Sequence, residues 1–172
     1  MAQEIVNRVA KSGLVSLNLE EFYPKGKRIL FDIKENLWQG IALKEKEFRG
    51  FIKEHNWRAY QNAYVALHCS VDAIVPTWAY MLITTQLQPF AKKIVFGDLN
   101  QLEDLLFEEA IAQLDMKSFQ DARIVIKGCS DQAVPPSAYV RLTDRLMPFA
   151  KAIMYGEPCS TVPLWKKPKA AH

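Results

Sequence analysis

Short apolar runs alternate with amphipathic stretches over most of this chain, and that pattern predicts an α/β fold. Strand-length apolar runs occur at residues 64–68, 94–96, 123–127 and 153–155, and apolar positions at helical spacing occur at residues 76–93, 99–114 and 138–151. Apolar runs without clean alternation are typical of strands that are buried on both faces. The alternating order of strands and helices therefore predicts a mostly parallel sheet with flanking helices.

The N-terminal part of the chain, up to Tyr60, carries a weaker pattern. Val15 to Leu19 alternate between apolar and polar residues, and Ile29 to Ile33 do so less cleanly because Leu30 makes that run nearly continuous; together they predict two short strands. Residues 36–43 fit either a helix or a strand. Residues 44–55 place apolar side chains at i, i+3 and i+4 among many charges, which predicts an amphipathic helix with His55 at the edge of its apolar stripe.

An internal repeat organises the rest of the chain. Residues 75–98 align without a gap to residues 134–157, and half of the 24 aligned positions are identical. With one residue of slip, Cys69-Ser70 also aligns with Cys129-Ser130. We therefore expect the fold to contain an internal duplication of a strand–loop–helix–strand unit. In this interpretation residues 1–165 form a single α/β domain, with an N-terminal extension at 1–60, repeat one at 61–120, repeat two at 121–165 and a flexible tail at 166–172.

Composition and charge narrow the functional classes. The 172 residues carry 22 basic and 19 acidic side chains, a balance too even to indicate a nucleic-acid or membrane surface. The chain contains neither an apolar run of membrane-spanning length nor a signal-peptide pattern at its N-terminus, so we expect a cytoplasmic protein. It also lacks the common nucleotide, zinc-protease and hydrolase motifs, so no catalytic residue is assigned.

The three cysteines are the candidate chemistry. Cys69, Cys129 and Cys159 are each followed by serine, and each comes at or just after the end of a predicted strand. Carboxyl ends of parallel strands share one edge of a sheet, where open α/β sheets bind their ligands. Three convergent thiolates suit zinc, or less readily iron, with His68, Asp72, Asp131, Glu157 or a water as the fourth ligand.

Other polar and aromatic residues near these cysteines are candidates for the surrounding pocket. They are Ser70, Asp72, Ser130, Asp131, Glu157, Ser160, Tyr80 and Tyr139. Asp72 and Asp131 have a plainer alternative role as helix N-terminal caps, and the two tyrosines have one as packing residues. Arg123, Lys127, Arg141 and Arg145 are interpreted as a solvated face.

Two other functions stay open on the residues alone. The cysteines are consistent with small packed residues in a non-catalytic interaction or scaffold module, which exposed apolar surface and a homodimer would favour. A small thiol-dependent enzyme with one activated cysteine is the third interpretation.

The repeated CS…VP…AY…PFAK…G pattern resembles the domain-of-unknown-function family 2480. The opening EIVNRVAKSGLVSLNLEEFYP, the FGDL after the first repeat and the closing YGEPCSTVPL fit that family as well, so the resemblance covers nearly the whole chain. The resemblance carries no established activity. Because members are often encoded near iron–sulfur cluster assembly genes, it implies an accessory role in sulfur or iron–sulfur metabolism, with a protein partner in that metabolism.

Overall fold

The computed structural model describes residues 14–127, 133–157 and 160–168, and these form seven strands and four α-helices. The strands are β1 (Leu14–Leu17), β2 (Arg28–Asp32), β3 (Tyr64–His68), β4 (Lys93–Phe96), β5 (Arg123–Ile126), β6 (Ala152–Glu157) and β7 (Ser160–Lys166). The helices are α1 (Glu45–Glu54), α2 (Thr77–Leu87), α3 (Leu99–Ala112) and α4 (Pro136–Leu146). Among the described residues, no helix is long and apolar enough to cross a membrane.

The predicted fold class is confirmed, with the strands divided between two sheets. One sheet has the order β2-β3-β4, and the other has the order β1-β5-β6-β7. Every neighbouring pair is parallel except β6 and β7, which are antiparallel. The chain correspondingly separates into two compact units, Lys25–Leu105 around the three-stranded sheet and Met1–Pro24 with Leu106–His172 around the four-stranded sheet.

The three-stranded unit is organised around its central strand. β3 is the apolar run YVALH, and its first four residues are buried. Val65 and Leu67 pack with Ile83 and Leu87 from α2 and with Phe48 from α1, in one apolar cluster. The apolar faces of α1 and α2, which the sequence pattern predicts, therefore pack against this sheet.

The four-stranded unit is built in the same way. Ile124 and Ile126 of β5 pack with Phe107 and Ile111 of α3 and with Leu142 of α4. Parallel pairing joins β1 directly to β5, so that Leu17 lies beside Ile126 although they are far apart in sequence. The N-terminal strand is thus part of the sheet formed by the end of the chain.

Local contacts recur at repeat-equivalent positions of the two units. The backbone N–H of Asn62 donates to the Phe90 carbonyl at 2.9 Å, and that of Asp121 donates to the Phe149 carbonyl at 2.9 Å. Asn62 and Asp121 both have positive φ, 59° and 56°, a conformation that these residue types tolerate better than most. The shared geometry agrees with the sequence repeat, and a duplication as its origin stays a prediction.

β7 is the strand that sequence patterning does not predict. Its residues STVPLWK include Pro163, which lacks a backbone donor and is normally restricted to edge strands. β7 occupies an edge of its sheet and carries an irregularity in its pairing opposite Ile153 and Met154. It runs to Lys166, the first residue of the predicted tail.

α4 also differs from its predicted span of residues 138–151. It begins at Pro136, where proline fits the first helical turn, and it ends at Leu146, just before Met147 and Pro148.

Candidate functional site

Asp32 connects two segments of the chain at the carboxyl edge of the three-stranded sheet. This residue ends β2 and lies beside His68 in the parallel pairing with β3. Its Oδ1 accepts hydrogen bonds from the backbone N–H of Ser70 and from that of Lys34, each at 3.0 Å. Asp32 therefore fixes the chain immediately after β3, where Cys69 and Ser70 lie.

The Asp32 carboxyl stays ionised over the physiological range. Partial burial alone would raise its pKa, but hydrogen bonds from the Ser70 hydroxyl and from the Ser70 and Lys34 backbone outweigh that effect and lower the pKa to about 2. The Lys34 ammonium lies 3.4 Å from Oδ2. The result is an ionised carboxylate at the carboxyl edge that forms an ion pair with Lys34.

Cys69 lies in this setting as a half-buried thiol. Its Sγ donates to the Val71 carbonyl at 3.4 Å, and its side chain packs against the edge of the apolar cluster. Among the described residues no imidazole or amine is hydrogen-bonded to the thiol. The structure therefore provides no described base for a nucleophilic Cys69.

Tyr80 of α2 faces the same edge. Burial is the main cause of its raised pKa, and the nearby Cys69 and Asp32 raise it further. Its ring meets Phe96 of β4 edge-on, with 5.1 Å between centroids. We define Asp32, Cys69, Ser70 and Tyr80 as the carboxyl-edge cluster.

His68 and Asp72 lie close in sequence to this cluster. His68 is the half-buried last residue of β3, and Asp72 is exposed. The capping alternative for Asp72 is wrong, because Pro76 is the N-cap of α2 and no side chain caps that helix. Pro135 is likewise the N-cap of α4, again without a side-chain hydrogen bond.

The remaining cysteines follow strands of the other sheet. Cys129, Ser130, Asp131 and Cys159 lie outside the described residues. β3 belongs to the three-stranded sheet, whereas β5 and β6 are neighbours in the four-stranded sheet. The expectation that all three strand ends share one sheet edge is therefore wrong, since the pattern of strands does not reveal that there are two sheets.

The described residues that flank Cys159 along the chain are paired between β6 and β7. Glu157 is the half-buried last residue of β6 and lies opposite Ser160, the exposed first residue of β7. Across the described part of the chain, no group of three or more histidine, cysteine or carboxylate side chains is arranged to hold a metal. Any such group must include residues beyond those described.

Tyr139 packs within the four-stranded unit. It lies on α4 and meets Tyr155 of β6 edge-on, with 5.9 Å between ring centroids. Tyr80 makes the corresponding contact with Phe96 on the last strand of its own sheet. The packing role proposed for the two tyrosines thus has a direct structural counterpart in each unit.

The basic residues do not form a single solvated face. Arg141 lies within ion-pair distance of Glu108 and Asp144, and the Arg145 guanidinium donates to the Ile111 carbonyl. Arg123 lies instead in a groove of the four-stranded unit.

His55 packs among aromatic side chains. Its ring lies 4.6 Å from the Trp57 ring and 4.8 Å from the Phe51 ring, centroid to centroid, and its Nε2 lies 3.0 Å from the Tyr60 hydroxyl. Burial lowers the pKa of His55, which favours the neutral imidazole.

Asp32 is the residue of the cluster that sequence reasoning misses. The apolar pattern puts it inside a predicted strand of residues 29–33, whereas β2 ends at Asp32 and a short 3₁₀ helix begins at Ile33. An aspartate that accepts a hydrogen bond from the backbone N–H two residues on is a common local cap, and this is the signal that the residue type offers. Its contact with Ser70, 38 residues away, has no local signal.

Comparison with known proteins places the chain in a family. The family model described as "Protein of unknown function (DUF2480)" matches residues 3–167. The chain belongs to this family. No curated protein and no solved structure matches the DUF2480 chain significantly, so its site must be interpreted from its own residues.

Proposed function

We propose that this DUF2480 protein binds a metal ion through the thiolates of Cys69, Cys129 and Cys159. Zinc is the first choice and iron the second, because both accept thiolate ligands. The observation that carries the proposal is the position of Cys69 beside an ionised carboxylate at the carboxyl edge of a parallel sheet. His68, Asp72, Glu157 or a water are candidates for a fourth ligand.

The surroundings of Cys69 support a cation. Asp32 carries a negative charge that its hydrogen bonds stabilise. A divalent ion bound to a Cys69 thiolate would be attracted by this charge. Half-burial also leaves the sulfur accessible from solvent.

The other two cysteines are proposed as ligands because of their place in the sequence, each shortly after a strand of the four-stranded sheet. β5 and β6 are parallel neighbours, and Ile126 lies opposite Tyr155 near their carboxyl ends. Cys129 follows Ile126 by three residues, and Cys159 directly precedes Ser160, which lies opposite Glu157. Cys129 and Cys159 are thus within three residues along the chain of the described ends of β5 and β6.

A cytoplasmic location would keep the thiols reduced and available to the metal. In that compartment an accessory role in sulfur or iron–sulfur metabolism would use the same site, with a protein partner that delivers or receives metal or sulfur. The proposal for this role depends on the metal site.

Elemental analysis tests the proposal. Untagged protein purified without chelator should contain about one zinc or iron per chain, whereas a triple variant with Cys69, Cys129 and Cys159 replaced by serine should contain none. Ser118→Ala is a matched control, because its hydroxyl donates only to the Asp115 carbonyl.

Equal metal contents in the wild type and the triple variant would contradict the proposal. Absence of metal from the wild type even after incubation with excess zinc would contradict it as well. Circular dichroism of the triple variant distinguishes the loss of a ligand from the loss of the fold.

An exposed apolar surface favours a second function, an interaction module that forms a homodimer. Ile74, Ile41 and Trp38 are 73%, 57% and 43% exposed. The Ile74 N–H donates to the Ile41 carbonyl at 2.9 Å, and Trp38 bridges to Ala42, so the three side chains belong to one local structure. We define them as the Trp38–Ile41–Ile74 surface.

For this second function we expect Ile74→Lys to convert a dimer into a monomer, because it places a charge in the buried contact. Val140→Lys is the matched control, since Val140 is 70% exposed on α4 of the other unit. Analytical ultracentrifugation over a range of concentrations measures both. A monomeric wild type, or equal dissociation by both variants, would rule out this surface as the dimer interface.

A further inference from the structure

The four-stranded unit contains an open groove with a volume of about 660 Å³. The start of β5 and β6 and the end of β7 line it. The lining residues are Arg123, Lys151, Ala152, Met154, Pro163, Leu164, Trp165 and Lys166. Its volume falls in the range typical of small-molecule sites.

The charged residues of the groove are all cations. Arg123, Lys151 and Lys166 contribute three positive charges, and among the described lining residues there is no carboxylate. None of the three is within ion-pair distance of a described carboxylate, because Asp121 is instead engaged by Lys167 at 3.4 Å. Lys151 makes only a small contribution to the lowered pKa of Asp121, because hydrogen bonds from Gln120 and Lys167 are the larger causes.

The equivalent lysine of the three-stranded unit has an aromatic partner that the groove cations do not have within the described part of the chain. At the repeat-equivalent positions, Tyr64 stands at the place of Arg123, and Lys92 at that of Lys151. The Lys92 ammonium lies 4.9 Å from the centre of the Tyr64 ring, which receives it through a cation–π contact. With Arg123 in place of the ring, the groove holds two like charges, and among the described residues Lys151 is balanced in part by a minor electrostatic interaction with Asp121.

The neighbouring Arg28 strengthens the contrast. Its guanidinium lies 5.0 Å from the Tyr64 ring centre and forms two hydrogen bonds with Glu103, at 2.6 and 3.2 Å. The basic groups around Tyr64 are thus balanced within the three-stranded unit. The groove of the four-stranded unit is suited to an anion from outside the chain.

The remaining lining is apolar and includes an indole ring. Met154, Leu164 and Trp165 are among the apolar lining residues, and Trp165 also packs against the core of the unit. A ring system placed here would be covered on one side while its charged group remained near the cations. The groove therefore combines three cationic donors with a surface suited to a flat apolar group.

We propose that this groove binds a small organic phosphate that carries a planar ring, as nucleotides do. Arg123, Lys151 and Lys166 bind the phosphate oxygens, and the ring lies against Trp165 and Leu164. The site is separate in its residues from the cysteines of the proposed metal site, and neither proposal depends on the other.

Isothermal titration calorimetry of the full chain tests this with ATP, inorganic pyrophosphate and adenosine as probes. ATP should bind saturably at one site, and its affinity should fall as salt is added. Pyrophosphate should bind about tenfold or more weakly because it lacks the ring, and adenosine should bind weakest because it lacks the charges.

Charge-removing variants locate the site. Lys151→Gln and Lys166→Gln should each weaken ATP binding by about tenfold, since each removes a charged partner of a phosphate. Lys46→Gln, an exposed lysine of α1 in the other unit, should leave it unchanged. All three positions are exposed, so the variants are expected to remain folded, which thermal melting checks.

Three results would overturn the proposal. The first is no saturable binding of ATP at low salt. The second is equal affinity for ATP and pyrophosphate, which would exclude a role for the ring surface. The third is equal weakening by Lys46→Gln and Lys151→Gln, which would show attraction by net charge rather than by the groove.

Discussion

Asp32 connects local and long-range structure in the carboxyl-edge cluster. It caps a short 3₁₀ helix through the Lys34 N–H and restrains the chain after β3 through Ser70. Its side chain is only 12% exposed, so these bonds form away from most competing water. We expect removal of the Asp32 side chain to alter the position of Cys69, because Cys69 directly precedes Ser70.

Replacement of Asp32 by asparagine should lower stability by about 1 kcal/mol at pH 7, after allowance for solvent screening. The pKa of Asp32 lies near 2 in the folded state and 3.8 ordinarily, so its contribution is present above pH 4 and is lost as pH falls toward 2. Urea denaturation between pH 2 and 7 should therefore show a shallower acid loss in Asp32→Asn than in the wild type.

Asp115→Asn is the matched control for that experiment. Asp115 also caps a 3₁₀ helix, through the Lys117 N–H at 3.1 Å, but its described hydrogen bonds are all local. Asparagine is as good a cap as aspartate, so little change is expected. Equal losses in both variants, or an unchanged acid profile in Asp32→Asn, would contradict the role given to Asp32.

Individual residues differ in how far the sequence predicts them. Cys69 is predictable at a strand end because β3 is a compact apolar run, and the structure places it one residue after His68. The Asp32 contact is not predictable, since it depends on the pairing of β2 with β3. The basic groove escapes sequence reasoning for a similar reason: Arg123 and Lys166 meet only through the pairing of β5, β6 and β7.

The β6–β7 connection depends on a glycine. Gly156 has φ 121°, which side-chain-bearing residues rarely adopt, and a Cβ there would lie 2.6 Å from the Ser160 carbonyl oxygen. Gly97, its equivalent in the sequence repeat, has φ 141°, but a Cβ there would meet the Gln101 side chain instead. An added Cβ would therefore contact backbone at Gly156 and a side chain at Gly97, and the positive φ would strain an alanine at both positions.

Gly156→Ala should therefore lower stability by about 2 kcal/mol or more and weaken the pairing of β7. Hydrogen exchange should show faster exchange of the β6 and β7 amides. Gly50→Ala is the control, because Gly50 lies within α1 without a positive φ and a Cβ there would meet nothing within 4 Å, so the exchange of the β6 and β7 amides should stay near the wild-type level. Unchanged exchange in β7 of Gly156→Ala would contradict this account.

Secondary structure is predictable where the apolar pattern is dense. β3 matches its predicted span, and α1 and α3 lie within theirs, because buried strands and amphipathic stripes leave clear local signals. The pattern misses β7 because Pro163 and exposed apolar side chains on an edge strand resemble a loop. The antiparallel end of the four-stranded sheet is accordingly absent from the prediction.

The arrangement of two sheets has no local signature in the chain. β1 precedes the three-stranded unit in sequence but pairs with β5, so the smaller unit is an insertion within the larger. Such non-local pairing is set by burial and register, which apolar periodicity alone does not report. This is why the sequence predicts a mostly parallel α/β fold correctly and the placement of its strands in one sheet wrongly.

Cobalt absorption spectroscopy tests most directly whether Cys69, Cys129 and Cys159 share one metal. Cobalt(II) substitutes for zinc, and its thiolate charge-transfer absorption grows with the number of sulfur ligands. We predict saturation at one cobalt per chain in the wild type and a loss of about one third of this absorption in each single Cys→Ser variant, at three ligands per metal. No charge-transfer absorption in the wild type, or an unchanged spectrum in Cys69→Ser, would contradict the shared site.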